Sequence, residues 1–392
     1  MVPGTTRLAL RDLTADDLDA AFEVRSRSFG LLSPSLRDWW NDVQLESYNE
    51  HRAIGAFDGE RLVAHAKVLS YQQFWGGRPM PMGGVAGVVV APEARGRGVG
   101  SQLMAALAQR SLELGDLVSV LYPATIPIYR ALGWEMAGAQ YRISMSADAL
   151  RTLGGRGIPL RTATGSDVTP FRKSLNDRYA AQRANGPKLL SESEATEQLT
   201  GDGVMSYVAD GGHVAYEWAN EDLAVSYISA DTPEVARALW STLGSGSSVV
   251  RNVMAYVAPD DPIHLLLPKE VAHRTYVKRW MLRVMEVQKA VAARGFLPGV
   301  TGSATLTIQD LLLPGNSGSW QLEVSGGRGA LTPVEATSAS LMLGANGFAA
   351  LYAGAPVHVL RMAGLASGGE PGADELLDAA FAGRAAYLLE YF

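Results

Sequence analysis

The chain has 392 residues and not one of them is cysteine. This absence excludes a thiol nucleophile, a thiolate metal site and a disulfide framework, and it fits a reducing compartment. Long hydrophobic runs are also missing, because no apolar run approaches the ~18 residues that a membrane span needs. The first residues lack the basic-then-apolar order of a signal peptide. We therefore expect a cytoplasmic protein with no membrane partner.

Positive charge and histidine are sparse as well. The formal net charge is −6, and no basic run is longer than a scattered pair, which argues against a nucleic-acid partner. The six histidines, at positions 51, 65, 213, 264, 273 and 358, form no i, i+4 pair, so we expect no metal site. A hydrophobic content of 47% is nevertheless enough for several cores.

Glycine is concentrated between Val88 and Gly100, where the chain reads V-V-V-A-P-E-A-R-G-R-G-V-G. A valine strand runs into an arginine-glycine turn, and an amphipathic helix is predicted over Ser101–Leu114. The first amides of a helix have no partner inside it and lie at the positive end of its dipole. The glycines of the turn remove side chains that would keep an anion from these amides, and the arginines add fixed positive charge. The run therefore predicts an anion cradle.

The spacing of this turn decides which phosphate ligand it would hold. It lacks the lysine of a Walker loop and the Gly-x-Gly-x-x-Gly of a dinucleotide fingerprint, and reads instead Arg95-x-x-Gly98-x-Gly100. After a β-strand, that pattern resembles the pyrophosphate-binding motif of the GNAT superfamily of N-acetyltransferases, which use acetyl-coenzyme A. The alternative is a glycine-rich turn that only joins a buried strand to a helix.

The length predicts two or three domains, and the order of elements divides the chain into three units, at residues 1–150, 151–283 and 284–392. Strands and helices are mixed in all three, so the fold class is α/β or α+β. In the third unit we predict a helix over Val284–Arg294 and a partly helical segment over Thr337–Leu343. The apolar end at Phe392 indicates a terminus that is packed into the structure.

The second unit repeats the start of the first. Ile158–Asp167 echoes Leu8–Asp17, as an apolar strand with arginine, a capping residue and an acidic helix start. The later helix predicted over Pro233–Gly244 begins with Thr-Pro-Glu-Val where the first unit has glycines. We interpret the second unit as a duplicated domain that has lost its cofactor motif. Chance likeness of two α/β halves is the alternative.

Acetyl transfer from a thioester to an amine needs a donor for the oxyanion, a proton for the departing thiolate and a neutral amine. A backbone N–H near Val88 or Val90 would polarise the thioester carbonyl. Tyr129, on a short helix predicted over Ile126–Leu132, is the best candidate acid, because a phenol with an ordinary pKa of about 10 stays protonated at neutral pH. Its alternative role is packing against the strand below.

No base is evident from motifs, since neither His51 nor His65 neighbours an acid in a recognisable pattern. Trp39 and Trp40 lie among acidic residues on a helix predicted over Leu36–Tyr48. Such a face would bind a cationic substrate, although a solvated helix face is the plainer interpretation.

The whole chain resembles the Eis (enhanced intracellular survival) family of actinobacterial acetyltransferases. The likeness lies in the glycine-arginine run, in L-Y-P-A-T-I-P-I-Y-R-A-L-G-W from Leu121 to Trp134, and in the C-terminal unit that ends at Phe392. The resemblance implies tandem GNAT-type mixed-sheet domains, the second without cofactor, followed by a sterol-carrier-protein-like α+β domain. It also implies a homohexamer that acetylates primary amines of cationic substrates, either aminoglycoside-like compounds or lysine side chains.

The resemblance also implies roles for individual residues. Tyr129 matches the family's general acid, and the α-carboxylate of Phe392 matches its general base, which reaches the first domain from the third. The acetyl-coenzyme A contacts that we expect, from the motif and the resemblance together, are Val88, Val89, Val90, Arg95, Gly96, Arg97, Gly98, Val99, Gly100, Ser101, Ala124 and Thr125.

Two other classes of function stay open at this point. One is a non-catalytic acyl-coenzyme A sensor, and the other is a lipid carrier with a degenerate transferase domain. The intact turn at Arg95–Gly100, together with Tyr129, favours the enzyme over both.

Overall fold

The computed structural model describes residues 8–155, 157–267, 274–337 and 339–392, which form one 13-stranded sheet and one five-stranded sheet. The first unit mixes strands and helices, as predicted. Its elements are β1 (Ala9–Asp12), α1 (Leu18–Phe29), α2 (Pro34–Asn49), β2 (Ala53–Asp58), β3 (Arg61–Trp75), β4 (Arg78–Val90), α3 (Val99–Glu113), β5 (Val118–Leu121), α4 (Ile126–Ala131) and β6 (Glu135–Ser146).

The second unit follows the short helix α5 (Ala147–Arg151) and repeats this order of elements. They are β7 (Arg161–Thr162), α6 (Val168–Ala181), α7 (Glu192–Thr200), β8 (Met205–Ala209), β9 (Gly212–Ala219), β10 (Asp222–Ala230), α8 (Pro233–Gly244), β11 (Asn252–Tyr256), α9 (Ile263–Leu266) and β12 (Arg274–Val284).

The two units begin with the same hydrogen-bonded structure. Arg11 makes two hydrogen bonds of 2.7 Å to the carboxylate of Asp17, which also accepts the amide of Thr14 at 2.9 Å. In the second unit, Arg161 and Asp167 form the same pair at 2.7 and 2.6 Å, and Asp167 again accepts a threonine amide, from Thr164, at 2.9 Å. Each is a capping box that starts a helix. This detailed likeness supports duplication over chance.

The large sheet has the strand order β1-β2-β3-β4-β5-β12-β6-β11-β10-β9-β8-β7. Read from its two ends, this order matches the first unit to the second strand by strand, with β6 and β12 paired antiparallel at the centre. The two units therefore exchange their last strands, because β12 pairs with β5 of the first unit and β6 pairs with β11 of the second. The sequence patterns did not predict this exchange.

The third unit has a sheet of order β15-β14-β13-β16-β17 covered by helices. Its elements are α10 (Val287–Ala293), β13 (Gly302–Gln309), β14 (Gly318–Ser325), β15 (Arg328–Val334), β16 (Leu341–Gly344), α11 (Ala345–Tyr352), α12 (Val357–Met362), β17 (Ala366–Gly368), α13 (Pro371–Phe381) and β18 (Ala386–Tyr387).

Two predictions for the third unit were wrong. The helix expected from Val284 starts only at Val287, because Val284 is the last residue of β12. In the segment predicted as partly helical, Leu341–Leu343 pairs in parallel with Leu306–Ile308 as part of β16. The alternation of buried Leu341, exposed Met342 and buried Leu343 is a strand pattern; Ser338 lies outside the described residues.

The third unit packs on the large sheet through aromatic residues. The ring of Trp75, on β3, lies 5.2 Å from that of Tyr352 on α11 and 6.4 Å from that of Trp280 on β12. The three side chains are fully buried in one core. The third unit is therefore packed directly against the large sheet. After α13 the chain returns to that sheet, where β18 pairs in parallel with Gly138–Ala139 of β6.

Candidate active site

A cleft opens where two parallel strands of the first unit diverge. β4 and β5 pair only from Met82 to Gly84 on one side and from Val118 to Val120 on the other. β4 then continues to Val90 along β3 alone. Beyond Gly84, one edge of β4 therefore has no strand beside it within the described part of the chain, and its backbone groups are open to a ligand.

A β-bulge sets the direction of these backbone groups. The pairing of β4 with β3 shifts register between His65 and Lys67, opposite Gly87 and Val88, and Gly87 has a left-handed φ of 59° that favours glycine. The amide of Ala91 donates to Val63 on β3 at 2.8 Å. Because backbone groups alternate along a strand, those of Val89 face β3, whereas those of Val88 and Val90 face the cleft.

The glycine-arginine turn after β4 has the geometry that an anion cradle requires. Gly96 and Gly98 have left-handed φ values of 75° and 74°, and a Cβ atom at Gly96 would meet nothing within 4 Å. The first backbone hydrogen bond of α3 runs from Gln102 to Gly98 at 3.2 Å. The amides of Val99, Gly100 and Ser101 therefore precede the helical hydrogen bonds and are free for an anion. The cradle fits a diphosphate.

The two arginines of the turn are held by other groups. Arg95 donates from Nε to the carbonyl of Val90 at 3.2 Å. Arg97 forms an ion pair with Asp58 at 3.1 Å. Both side chains are exposed, so they add positive charge at the rim of the cradle.

Ala124 and Thr125 lie at the start of α4, which is next to the cradle. Both residues are exposed, and Thr125 is the N-cap of that helix. A Cβ atom at Gly100 would lie 3.1 Å from Cδ1 of Ile128, so α4 borders the first turn of α3. The predicted contacts from both segments therefore lie on one side of the cleft.

Tyr129 is buried on α4, in the apolar cluster that also contains Val89, Val99 and Leu121. Burial raises the pKa of its phenol above the ordinary value of 10, so the phenol stays protonated at neutral pH. The short helix follows the end of β5, on the cleft side of the first unit.

The C-terminus lies at the point where β4 and β5 diverge. The ring of Phe392 is 5.3 Å from that of Tyr71 and 5.8 Å from that of Tyr122. A Cβ atom at Gly84 would lie 2.8 Å from the Phe392 ring, so glycine leaves the room that this ring occupies. The hydroxyl of Tyr122 donates to the carbonyl of Glu390 at 2.8 Å. The third unit therefore delivers its last residue to the cleft of the first.

Sequence reasoning missed several residues of this site. Tyr71 and Tyr122 hold the last residues of the chain, and no local pattern marks a contact between positions that are more than 260 residues apart. Gly87 had a usable signal, because an isolated glycine inside a strand pattern indicates a bulge.

Three carboxylates act on Tyr71, whose ring contacts Phe392. Burial is the main reason that the pKa of Tyr71 is raised, and the negative charges of Glu194, Glu390 and Glu46 add to that effect. Lys188 forms an ion pair with Glu194 and lies 4.1 Å over the Tyr71 ring. Glu46 belongs to α2, the helix that carries the predicted acidic and aromatic face.

The two tryptophans of that face do not form one surface. The side chain of Trp39 is 62% exposed, whereas that of Trp40 is 8% exposed and packs edge-on against Phe22 at 5.4 Å. The prediction of Trp40 as a substrate contact is therefore corrected, because residues adjacent on a helix point to different sides. Trp39 stays a candidate.

The histidines of the first unit lie outside the cleft. His65 is buried against the carbonyl of Ala21 at 3.2 Å, and burial lowers its pKa to about 4. His51 pairs with Asp12 at 3.0 Å. His273 lies outside the described residues. Within the described ranges, no cluster of three His, Cys, Asp or Glu residues suits a metal ion, and no helix has the length and apolarity of a bilayer span.

Known protein families match each of the three units. Residues 9–137 match an acetyltransferase (GNAT) domain, residues 183–284 match a second acetyltransferase (GNAT) domain, and residues 287–389 match a sterol carrier protein domain. An uncharacterized N-acetyltransferase of Streptomyces griseus is 29% identical over 367 residues, 84% of this chain and 86% of that protein. N-acetyltransferase Eis of Mycobacterium tuberculosis is 25% identical over 364 residues, 87% and 88% of the two chains.

Solved structures resemble the chain over almost its whole length. A GCN5-related N-acetyltransferase from Kribbella flavida superposes with a TM-score of 0.96 at 46% identity, covering 99% of both chains. Eis1 from Mycobacterium abscessus shares the fold, with a TM-score of 0.76 at 22% identity over 98% of this chain and 100% of the other. The chain belongs to the GCN5-related N-acetyltransferases, is an acetyltransferase enzyme, and falls in the Eis-like group that joins two GNAT domains to a sterol-carrier-protein-like domain.

Proposed function

We propose that the protein transfers the acetyl group of acetyl-coenzyme A to a primary amine of a cationic acceptor, by direct attack in the cleft of the first unit. The observation that carries this proposal is the meeting of two features at one cleft. The open amides at the start of α3 lie on one side of it, and the C-terminal residue Phe392 lies at the divergence of β4 and β5. The first suits a diphosphate, and the second brings a carboxylate to a cleft that has no histidine base among the described residues.

Each step of the proposed reaction has a group on the chain. Acetyl-coenzyme A supplies the acetyl thioester. The amides of Val88 and Val90 face the cleft and donate to the carbonyl oxygen where negative charge develops. The carboxylate of Phe392 accepts the proton of the attacking amine, and the phenol of Tyr129 donates one to the departing sulfur. The raised pKa of Tyr129 suits a donor.

The proposed acceptor class is supported by the charges near Tyr71. Glu46 and Glu390 act on Tyr71 as negative charges, whereas Glu194 is paired with Lys188; exposed Trp39 lies on the same helix as Glu46. Negative charge and an aromatic face favour a polyvalent cation. Aminoglycoside-like amines and lysine side chains both meet this description, and an amine panel separates them.

The proposal also keeps two wider expectations from the sequence. The domain limits at residues 150 and 283 divide the chain where the sequence pattern restarts, although β6 and β12 cross between the units. A cytoplasmic homo-oligomer, hexameric by resemblance to the Eis family, is the proposed form of the enzyme.

The test of the proposed base removes or blocks the terminal carboxylate. Thiol release from acetyl-coenzyme A is measured with aminoglycosides, polyamines, lysine peptides and arylamines, on the wild type, on a chain lacking Phe392 and on a chain extended beyond it. The same extension at the N-terminus is the matched control. We expect both C-terminal changes to lower kcat roughly a hundredfold while the affinity for acetyl-coenzyme A stays constant.

Two results would count against the proposal. Unchanged kcat in both C-terminal variants would remove Phe392 as the base. Binding of acetyl-coenzyme A without turnover of any amine would favour the acyl-coenzyme A sensor.

A further inference from the structure

The last nine residues of the chain form a tail, Arg384–Phe392, that is held at almost every position before its end. Arg384 makes a bidentate ion pair with Asp260 of the second unit. β18 then pairs with β6, and the amide of Leu388 donates to Ala139 at 3.2 Å. Gln140 donates to the carbonyl of Leu389 at 2.7 Å. A two-residue strand alone would not order such a segment, since fixing each backbone residue costs about 1–2 kcal/mol.

Asn185, in the second unit, connects the tail to the first unit. Its side chain is buried, accepts the amide of Gly76 at 2.6 Å and donates to the carbonyl of Arg384 at 2.9 Å. Its own carbonyl accepts the amide of Tyr387 at 3.0 Å. One residue therefore binds the turn after β3 and two positions of the tail.

The chain on either side of Asn185 is shaped to lie against the same two partners. Gly186 has a left-handed φ of 99°, and a Cβ atom there would lie 2.3 Å from the carbonyl oxygen of Tyr387. Its amide donates to Phe74 at 2.7 Å, and its carbonyl accepts from the side chain of Gln73 at 2.7 Å. Only glycine allows this close approach to the tail.

A second contact lies nearer the end of the tail. The hydroxyl of Tyr227, on β10 of the second unit, donates to Oε1 of Glu390. The backbone of the same glutamate is held from the first unit by Tyr122, at 2.8 Å. Glu390 is therefore held from both units two residues before the terminal carboxylate.

We propose that the second unit, which lacks the cofactor turn, positions the C-terminal tail for the reaction in the first unit, with Asn185 and Tyr227 as the positioning residues. This inference rests on the proposed role of the Phe392 carboxylate as the base. It assigns a task to a duplicated domain that has no cradle of its own. In this role the second unit acts on the reaction through the tail.

The first test pairs Tyr227→Phe with Tyr179→Phe. Both tyrosines are almost fully buried in one cluster, but the hydroxyl of Tyr179 has no hydrogen-bond partner in the described part of the chain. We expect Tyr227→Phe to lower kcat roughly tenfold, as for loss of a hydrogen bond to a charged group, with KM for acetyl-coenzyme A unchanged. Tyr179→Phe keeps the wild-type kcat.

The second test pairs Asn185→Asp with Asn316→Asp. Asn316 is the control because it is equally buried and lies away from the tail: it accepts the amide of Val287 at 3.0 Å and donates to the carbonyl of Met285 at 3.1 Å and to the carboxylate of Asp310 at 3.0 Å. The new carboxylate of Asn316→Asp would face Asp310, so this variant measures what destabilisation alone does to the tail. At Asn185 the new carboxylate oxygen would face the Arg384 carbonyl and repel it. Release of Phe392 and Tyr391 by a carboxypeptidase measures detachment of the tail without using activity. We expect at least fivefold faster release for Asn185→Asp and Tyr227→Phe, and none of this increase for the controls.

The outcomes separate the two proposals. If deletion of Phe392 leaves kcat unchanged, the proposed base is wrong, whatever the tail does. If that deletion lowers kcat while the Tyr227 and Asn185 variants match their controls in kcat and in carboxypeptidase release, only the positioning role is overturned. Faster release confined to Asn185→Asp and Tyr227→Phe, with thermal stability no lower than that of Asn316→Asp, is the result that supports it.

Discussion

The first and second units of this chain share a fold and differ in one connection. Each starts with the same Arg-Thr-Asp capping box, each has a parallel strand pair that diverges, and each has a bulge beyond it, at Gly87 in β4 and at Ser226 in β10. After β4, residues 91–98 separate the strand from α3, whereas only Asp231 and Thr232 separate β10 from α8. We therefore attribute the proposed diphosphate site to this connection and not to the fold.

The start of α8 shows what closes such a site. The hydroxyl of Thr232 accepts a hydrogen bond from the amide of Val235 at 3.3 Å. Pro233 has no amide hydrogen, and Glu234 places negative charge in the first turn. These features stabilise a helix and also exclude an anion. In the first unit the amides at the start of α3 have no such partners, so α3 lacks the stabilisation that a capped helix start would give it. An anion-binding role would explain why these amides are left unpaired.

The largest effect is expected on acetyl-coenzyme A binding, when the helix start of the first unit is given the negative charge of the second. Gly100 occupies the second position of α3, as Glu234 does in α8, so Gly100→Glu puts a carboxylate into the cradle. We expect affinity for acetyl-coenzyme A to fall roughly a thousandfold, by repulsion and by loss of about two hydrogen bonds to a charged group. Isothermal titration calorimetry measures it.

Gly100→Ala is the control for this substitution. It adds the same Cβ atom, 3.1 Å from the flexible end of Ile128, without the charge, and should weaken binding only modestly. If Gly100→Glu binds as well as Gly100→Ala, the diphosphate does not lie at this helix start.

A smaller effect, of roughly a hundredfold in kcat, is expected for Tyr129→Phe. The second unit has Ile-His-Leu-Leu at α9, the short helix that corresponds to α4, so it lacks a phenol there. Because burial raises the pKa of Tyr129, the protonated donor persists as pH rises, and its loss should begin at a higher pH than for a phenol in water. The pH profile of kcat from thiol release measures both. Equal rates for Tyr129→Phe and wild type would return Tyr129 to a packing role.

The two bulges allow a third test. Gly87→Ala forces a side chain into a left-handed φ of 59°, which costs about 1–2 kcal/mol and turns the backbone of Val88. We expect kcat/KM for acetyl-coenzyme A to fall roughly tenfold. Ser226→Ala, at the corresponding bulge of β10, should leave kcat/KM unchanged, since the proposed cofactor site lies along β4. A similar loss in both variants would point to general destabilisation of the sheet.

Local patterns in the sequence predicted the elements that start and stop on their own signals. The helix predicted over Pro233–Gly244 has those bounds, and the one predicted over Leu36–Tyr48 is observed as Pro34–Asn49. β6 and β12 were not predicted, because each is stabilised by strands from both units and neither alternates regularly. The exchange of these strands depends on pairing between residues more than 100 positions apart.

The candidate site also has a part that local sequence predicts and a part that depends on distant contacts. The glycine turn and the helix start after it could be predicted, because the whole motif is contiguous within 13 residues. The route of the tail could not, since Tyr122 meets Glu390 and Asn185 meets Arg384 only after three units have folded. Trp40 was predicted to lie beside Trp39 because the two are adjacent in an acidic and aromatic segment. Adjacent residues of a helix point to different sides, and Trp40 points into the core.

The smallest expected effect concerns what the two units share, their capping boxes. Arg11 is the main cause of the lowered pKa of Asp17, and Arg161 has the same effect on Asp167. Asp17→Asn and Asp167→Asn should each cost ~1–2 kcal/mol of stability at pH 7, and the two losses should add in the double variant because the sites are far apart. A carboxylate whose pKa is lowered by folding stabilises above its unfolded pKa of about 3.9 and loses that effect as pH falls through the folded value. The difference in thermal midpoint between wild type and each variant should therefore be largest at pH 7 and should narrow below pH 4. If only one of the two single variants were destabilised, the two capping boxes would not contribute equally to stability.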